Sequence, residues 1–537
     1  MFGGGQPVFV LQQNVQREHG RQTQIANIQA AAAVSSVVRS TLGPKSMLKL
    51  LLDPLGGVVI TNDGNAILRE IDVTHPAAKS LIELSRAQDE EVGDGTTSVV
   101  ILTGEILARS EKLLGMQIHP TLVVKGYFAA LTEALKVLEE IATDIDLEDA
   151  TKLREVVGSC MGTKFSAQWG AKITGLALEA AQIVQETLPN GKREVDTKRY
   201  ARIEKVPGGS IEDCQLVKGI AIEKDVTHAR MKRRIQDPKI VLLDCPLEYK
   251  KGESMTNVEI TQEEEFEKLL LQEEEEVRKM CDCIAATGCN LVITEKGVSD
   301  LAAHFLMKQN ISVVRRAKKT DQNRLARVTG ATIVNRCEEL TERDVGTKCG
   351  LFEVKKIDDD YWTFLTDCAE PRACTILLRG GSKDSLNEIE RNLHDALAVA
   401  RNIFLEGKLL PGGGACDMIC AKRLHEAAKR LGGLEQWGMR AVAEAFDVIP
   451  RILAQNAGVD VVTTIAKLRA APDTSGIDGV TGEIVDVTAK GIWDTYRVKT
   501  QMIKTAIECA AMLIRVDDVL SGIGKPKEPT PEVTNYA

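Results

Sequence analysis

The sequence predicts a chain of several domains in the mixed α and α/β class, helical toward both ends and α/β in the middle. Three observations carry that expectation. At 537 residues the chain is longer than one hydrophobic core organises, so two to four domains are expected. Aromatic residues make up only 4%, so the cores must be assembled from Ala, Val, Ile and Leu, which suits helices and parallel sheets better than an aromatic-rich sandwich. The apolar spacing also changes along the chain, from helical to short continuous runs and back.

Taken in order, Ile25, Ile28, Ala32 and Val38 recur at roughly helical spacing, and that helix should stop before Leu42-Gly43-Pro44. Residues 56–61 read as a short strand, and Asn62-Asp63-Gly64-Asn65 reads as a turn. A helix should run from near Thr96 to Leu114. Another over 120–141 carries Leu122, Leu131, Leu135, Leu138 and Ile141 on one face. In the middle third, the apolar runs 240–243, 291–294 and 311–314 lie near helical or turn segments, the pattern of a largely parallel sheet. Between the first two runs lies a glutamate-rich stretch, 263–279, with a narrow stripe of Phe266, Leu269, Leu270, Val277, Met280 and Ile284. Glu264 with Lys268, Glu274 with Arg278 and Glu275 with Lys279 form i,i+4 pairs in the favoured order, so a helix exposed on most of its circumference is expected. From about Leu386 the chain reads as helical again, broken at Pro411-Gly412-Gly413-Gly414. Residues 524–537 read as a polar tail.

A formal net charge of −9 argues against a nucleic-acid binder. No apolar run is long enough to cross a bilayer, and residues 1–10 lack the basic and apolar regions of a secretory signal, so no membrane partner and a cytosolic location are expected. Thirteen cysteines with little pattern then read as reduced thiols.

The strongest chemical signal is Gly93-Asp94-Gly95-Thr96-Thr97-Ser98 leading into an apolar helical segment. Glycines let a phosphate approach the backbone, the helix start offers unpaired N–H groups, the hydroxyls add donors, and Asp94 is a hard oxygen ligand suited to Mg²⁺. A capped glycine turn explains the same residues equally well. Gly43 and Pro44 by themselves read as a helix stop. Gly412-Gly413-Gly414 suits either close ligand approach or a hinge. Asp63 in its turn and Asp395 within a helical segment would each ordinarily be structural. The chain has no GxxxxGK[ST] motif, so an ordinary P-loop nucleotidase is not expected. Cys281, Cys283 and Cys289 lack a well-spaced fourth zinc ligand. Cys368 and Cys374 bracket Pro371 and could face each other across a turn, although a cytosolic setting disfavours a disulfide. Arg315, Arg316, Lys318, Lys319, Arg324 and Arg327 read as a solvated basic face.

Together and in this order, Thr41-Leu42-Gly43-Pro44-Lys45, Asn62-Asp63-Gly64, Gly93 to Ser98, Gly412-Gly413-Gly414 and Gly491-Ile492-Trp493-Asp494 resemble the group II chaperonins over essentially the whole chain. Asp225-Val226-Thr227-His228, residues 242–254 and Glu435-Gln436-Trp437 carry a finer likeness to one subunit type of the eukaryotic cytosolic complex. The resemblance implies a mostly helical equatorial domain (1–150 and 405–537), a small intermediate domain (151–222 and 372–404), and an α/β apical domain (223–371) with a helical protrusion near 250–282. It implies ATP or ADP and Mg²⁺ as ligands, with Asp94 on the metal and Asp63 and Asp395 activating water. Gly43, Pro44, Gly95, Thr96, Thr97 and Ser98 would hold phosphates, reached also by Thr163 and Lys164. Gly412, Gly413, Gly479, Asp494 and Lys499 would line the adenosine side. Cys160-Met161-Gly162 departs from the family's usual Ser/Thr-rich run beside Thr163. The implied partners are paralogous subunits in a hetero-oligomeric double ring and unfolded clients of the actin and tubulin class. Two other classes remain open on the residues: an ATP-dependent transferase or ligase acting as a monomer, and a nucleotide-binding scaffold with little hydrolysis.

Overall fold

The computed structural model describes residues 16–52, 56–164, 169–249 and 263–521. The tail expectation at 524–537, the N-terminal residues 1–15 and the segment 250–262 lie outside that set. The chain divides into two compact units, Met1–Ile145 with Lys408–Ala537, and Asp146–Gly407.

The first unit is helical, and both ends of the chain build it. Its centre is the helix Thr96–Gly115, in which Val99, Val100, Ile101, Leu102, Ile106 and Leu107 are all fully buried. A helix apolar around its whole circumference must be wrapped by others. Here Arg21–Val38, Pro76–Val92, Pro120–Ile141, Glu435–Phe446 and Tyr496–Leu513 share one apolar core with it. Gly104 allows one of those crossings, since a Cβ there would lie 2.6 Å from Ser35 Cβ. The expected helices at 96–114 and 120–141 are present as Thr96–Gly115 and Pro120–Ile141. The turn expected at 62–65 is instead a strand-to-helix junction. Strands Lys49–Leu52 and Val58–Thr61 pair antiparallel, and Asp63 then caps the helix Gly64–Glu70 by accepting the Ala66 N–H at 2.9 Å. The signal was ambiguous because Asn and Asp serve turns and helix caps by the same side-chain-to-backbone bond.

The second unit holds the α/β part. Ser312–Val314, Leu291–Thr294, Ile240–Leu243 and Ile333–Val334 form a parallel sheet in that spatial order, as the apolar runs predict. Every residue of the two central strands is buried, which is why they read as continuous runs without alternation. A second sheet, with the hairpin Leu351–Ile357 and Asp360–Thr366 at its centre, is antiparallel. A third joins Ala201–Pro207, Cys374–Gly380 and Gln215–Val217 beside the long helix Lys383–Glu406.

The glutamate-rich helix is present over Glu263–Ala286 and is exposed on most of its circumference among the described side chains, while the stripe positions Val277 and Ile284, with Cys281, are buried in the core of the parallel sheet. Two expectations need correction here. The basic cluster is not one solvated face. Arg324 is buried and pairs with Asp321 at 2.5 Å, while Arg327 stacks on Tyr200 and pairs with Glu186. Cys374 is buried in its strand with its thiol toward the Ala180 carbonyl, and the thiol that Cys368 meets is Cys349. A charge count along the sequence cannot tell that alternate faces of one helix point in and out.

Candidate nucleotide site

In the first unit, loops far apart in sequence form a closed circuit of contacts. Ser46, whose N–H bonds the Gly43 carbonyl, accepts a hydrogen bond from Asn62 Nδ2 at 2.9 Å. Next to Asn62, Asp63 Oδ1 accepts from the Thr96 hydroxyl at 3.1 Å. Gly64 lies so close to Thr97 that a Cβ would fall 2.5 Å from its hydroxyl oxygen. Gly95 precedes Thr96 with φ +76 and packs on Val498, the neighbour of Lys499. Lys499 Nζ reaches Asp417 at 2.8 Å and Asp494 at 3.3 Å. Asp417 lies three residues past Gly414, and the Gly413 carbonyl accepts the Ile477 N–H at 2.9 Å. Two residues on, Gly479 sits on Pro44, where a Cβ would fall 2.4 Å from the proline ring. Pro44 follows Gly43, and the circuit is complete.

Thus Gly43, Pro44, Asp63, Asp94, Gly95, Thr96, Thr97, Ser98, Gly412, Gly413, Gly479, Asp494 and Lys499 come together around one site. Asp63, Asp94, Thr97 and Ser98 are half-buried, so their polar groups remain reachable. The helix start behind Gly95 is 20 residues long, enough to present its unpaired N–H groups and positive dipole end to an anion. Asp94 turns one oxygen to the Gly95 N–H at 2.7 Å. Two carboxylates, Asp63 and Asp94, among hydroxyls at a helix start make up a donor set suited to a magnesium–phosphate complex. These residues fit Mg²⁺ with a nucleotide.

The electrostatics concentrate on the far side. Asp417 is fully buried, and its Oδ1 has no hydrogen-bond partner among the described residues. Burial alone would drive the Lys499 ammonium down, yet Asp417 and Asp494 carry it well above the usual lysine range. Burial pushes the Asp494 carboxyl up; Lys499 opposes this, and Asp417 and Asp94 add to it. Asp494 lies in a recess: protein crowds it, although about 35% of its side chain still meets solvent. Lys499, expected to line the adenosine side, has a side chain only 8% exposed, with its ammonium held by Asp417 and Asp494.

Asp417 is the residue that sequence reasoning missed. An acidic residue in the first turn of a helix is favoured by the dipole alone, so nothing in Ala415-Cys416-Asp417 distinguishes it. The second unit holds the other candidates. Asp395, which taken singly reads as structural, is buried on the helix Lys383–Glu406, where Lys164 Nζ meets it at 2.5 Å. The Thr163 hydroxyl bonds the Cys160 carbonyl at 2.9 Å.

Comparison with known proteins defines the class. The model of the TCP-1/cpn60 chaperonin family matches residues 34–523, and the chain belongs to that family. It is an ATP-dependent molecular chaperone subunit. Within the family the likeness is to one subunit type. The chain is 58% identical over 528 residues to T-complex protein 1 subunit gamma of Oxytricha granulifera, covering 97% of this chain and 94% of that one. The protein of the same name from Saccharomyces cerevisiae is 54% identical over 531 residues, covering 97% and 99%. That from Homo sapiens is 52% identical over 524 residues, covering 97% and 96%.

Proposed function

We propose that this chain is the gamma-type subunit of a cytosolic hetero-oligomeric double ring, and that it binds Mg²⁺ and hydrolyses ATP to drive the folding of enclosed clients. The single observation that carries the reading is the closed circuit of loops joining Asp63, Asp94, the Gly95 helix start and Asp494. Gly43, Gly95, Thr96, Thr97 and Ser98 would hold phosphates, Asp94 would hold the metal, and Asp494 with the glycines at 412, 413 and 479 would line the nucleoside. When bound, Mg²⁺ would neutralise charge on the phosphate oxygens. Phosphoryl transfer to water depends mainly on positioning and charge stabilisation, and Asp63 and Asp395 are the carboxylates suited to orient and deprotonate that water, with Thr163 and Lys164 on the phosphates. Lys164 holds Asp395 in place until then.

By resemblance, residues 1–150 and 405–537 would serve as the equatorial domain, 151–222 and 372–404 as the intermediate one, and 223–371 as the apical, client-binding one. The clients implied are unfolded proteins of the actin and tubulin class. Assembly with paralogous subunits is supported by the hairpin Lys49–Leu52 and Val58–Thr61, where Leu50, Leu52, Val58 and Ile60 are exposed. An apolar two-stranded ribbon with open edges calls for a protein partner.

The test is an assembled complex in which this chain carries Asp63→Ala and Asp395→Ala. It should still be labelled by 8-azido-ATP on this chain while losing this chain's share of ATP turnover. Undiminished turnover would remove both carboxylates from the reaction and leave a nucleotide-binding scaffold.

A further inference from the structure

Behind the phosphate side of the site lies a charged cluster that the roles above do not use. Glu105 is on the helix Thr96–Gly115, two and a half turns from its start, and its side chain is only 10% exposed. Three guanidiniums converge on it. Arg109 Nε and Nη2 both meet Oε1 at 2.9 Å, Arg39 Nη2 meets Oε2 at 3.1 Å, and Arg451 Nη1 stands 3.7 Å from Oε1.

Arg109 shares the helix of Glu105, but the other two arginines belong to segments that shape the Gly43 loop. Arg39 opens the 3₁₀ turn Arg39–Thr41, which runs into Leu42-Gly43. Arg451 lies on the helix Val448–Ala457. That helix carries Leu453, against which Gly43 is seated at φ +89 with only 2.8 Å to spare for a Cβ. It also carries Asn456, whose amide donates to the Arg39 and Leu42 carbonyls at 3.1 and 2.8 Å. One carboxylate therefore ties the helix that starts at the Gly95 loop to both segments that hold the Gly43 loop. Three arginines without Glu105 would repel one another, so the carboxylate sets where these segments sit.

We propose that Glu105 is a positioning residue for nucleotide binding, fixing the Gly43 loop against the Gly95 helix start through Arg39 and Arg451. The proposal rests on the reading of this site as an ATP site.

The experiment uses the assembled complex and photolabelling of this chain by 8-azido-ATP, read as the concentration at half-maximal labelling. Glu105→Gln keeps the shape and removes the charge; it should raise that concentration about tenfold, the loss of one charge-assisted hydrogen-bond set, while maximal labelling is still reached. Arg39→Gln should raise it in the same direction. Arg109→Gln removes an ion pair of the same carboxylate without untying either segment, and should leave it within about twofold. If Glu105→Gln does not assemble, Arg39→Gln against Arg109→Gln decides. Half-saturation unmoved by Glu105→Gln and Arg39→Gln, or moved equally by Arg109→Gln, overturns the proposal. A wild-type chain that takes no label at all overturns the nucleotide reading itself, which is a different result.

Discussion

Each of the two units buries a lysine against carboxylates, and the two arrangements differ in kind. In the first unit, Lys499 is locked between Asp417 and Asp494, anchored in a helix and a strand on either side, with Asp417 fully excluded from water. In the second, Lys164 follows the end of the helix Ala150–Met161 and meets Asp395 at 2.5 Å, with both side chains about nine-tenths buried. A cation shared by two carboxylates and fixed by regular structure is part of the scaffold. A pair whose lysine stands past the end of a helix is tied to less regular structure. Equal burial therefore does not mean equal anchoring: every member of the first cluster sits in a helix or a strand, and Lys164 does not.

The largest effect should come from breaking the scaffold member. Lys499→Met leaves two carboxylates without their cation in a buried setting and should cost about 3–5 kcal/mol, read from the urea midpoint of the transition that reports on its unit. Lys164→Met, measured the same way, should cost clearly less, because Lys164 lies outside helix and strand and less of the fold is fixed through it. Equal losses would dissolve the distinction.

A pH titration sharpens it. Burial would raise the Asp478 carboxyl, but Lys490 at 2.5 Å, the Val480 N–H and the Thr481 hydroxyl together bring it down to about 2. A carboxylate depressed in the folded state stabilises above its unfolded pKa and loses that contribution as pH falls through the folded value. The stability advantage of the wild type over Asp478→Asn, on the order of 2 kcal/mol near neutrality, should shrink between about pH 4 and pH 2. A constant difference over that window would assign the effect to the shape of the Asp478-Gly479 turn instead.

The smallest effect belongs to the exposed pair of Lys408 and Glu139, 3.2 Å apart with most of the glutamate in solvent. Lys408→Ala should leave the urea midpoint where it was, since exposed pairs are screened and entropically offset. A clear shift there would mean that exposure is not what ranks these pairs.

How much was legible follows the same division. The Thr96 helix start, the helix over 120–141 and the parallel strands were readable, because each is dictated by local spacing or by a continuous apolar run. The loop motifs were readable as a set through their family resemblance; taken singly, Asp63 and Asp395 looked structural. Asp417 was not legible, because its neighbours in space, Lys499 and Asp494, lie about eighty residues away. Nor was the burial of Asp395 or Arg324: both sit on amphipathic helices, and which face turns inward is set by packing partners elsewhere in the chain. Cys368 illustrates the limit of spacing arguments. It stands six residues from Cys374, yet it meets Cys349, which the antiparallel hairpin carries to it.

The division of the chain has a consequence for its synthesis. Gln16–His19 pairs with Asp518–Ser521, and the helix Tyr496–Leu513 packs into the core formed by the first helices. A ribosome therefore delivers Asp63 and Asp94 early and Asp494 and Lys499 later, after the whole second unit has emerged. Until then the opening helices expose the apolar surface that the last ones will cover, and contacts of such long sequence separation form slowly. The nascent chain of a folding machine is itself a candidate for protection while it waits for its own C-terminus.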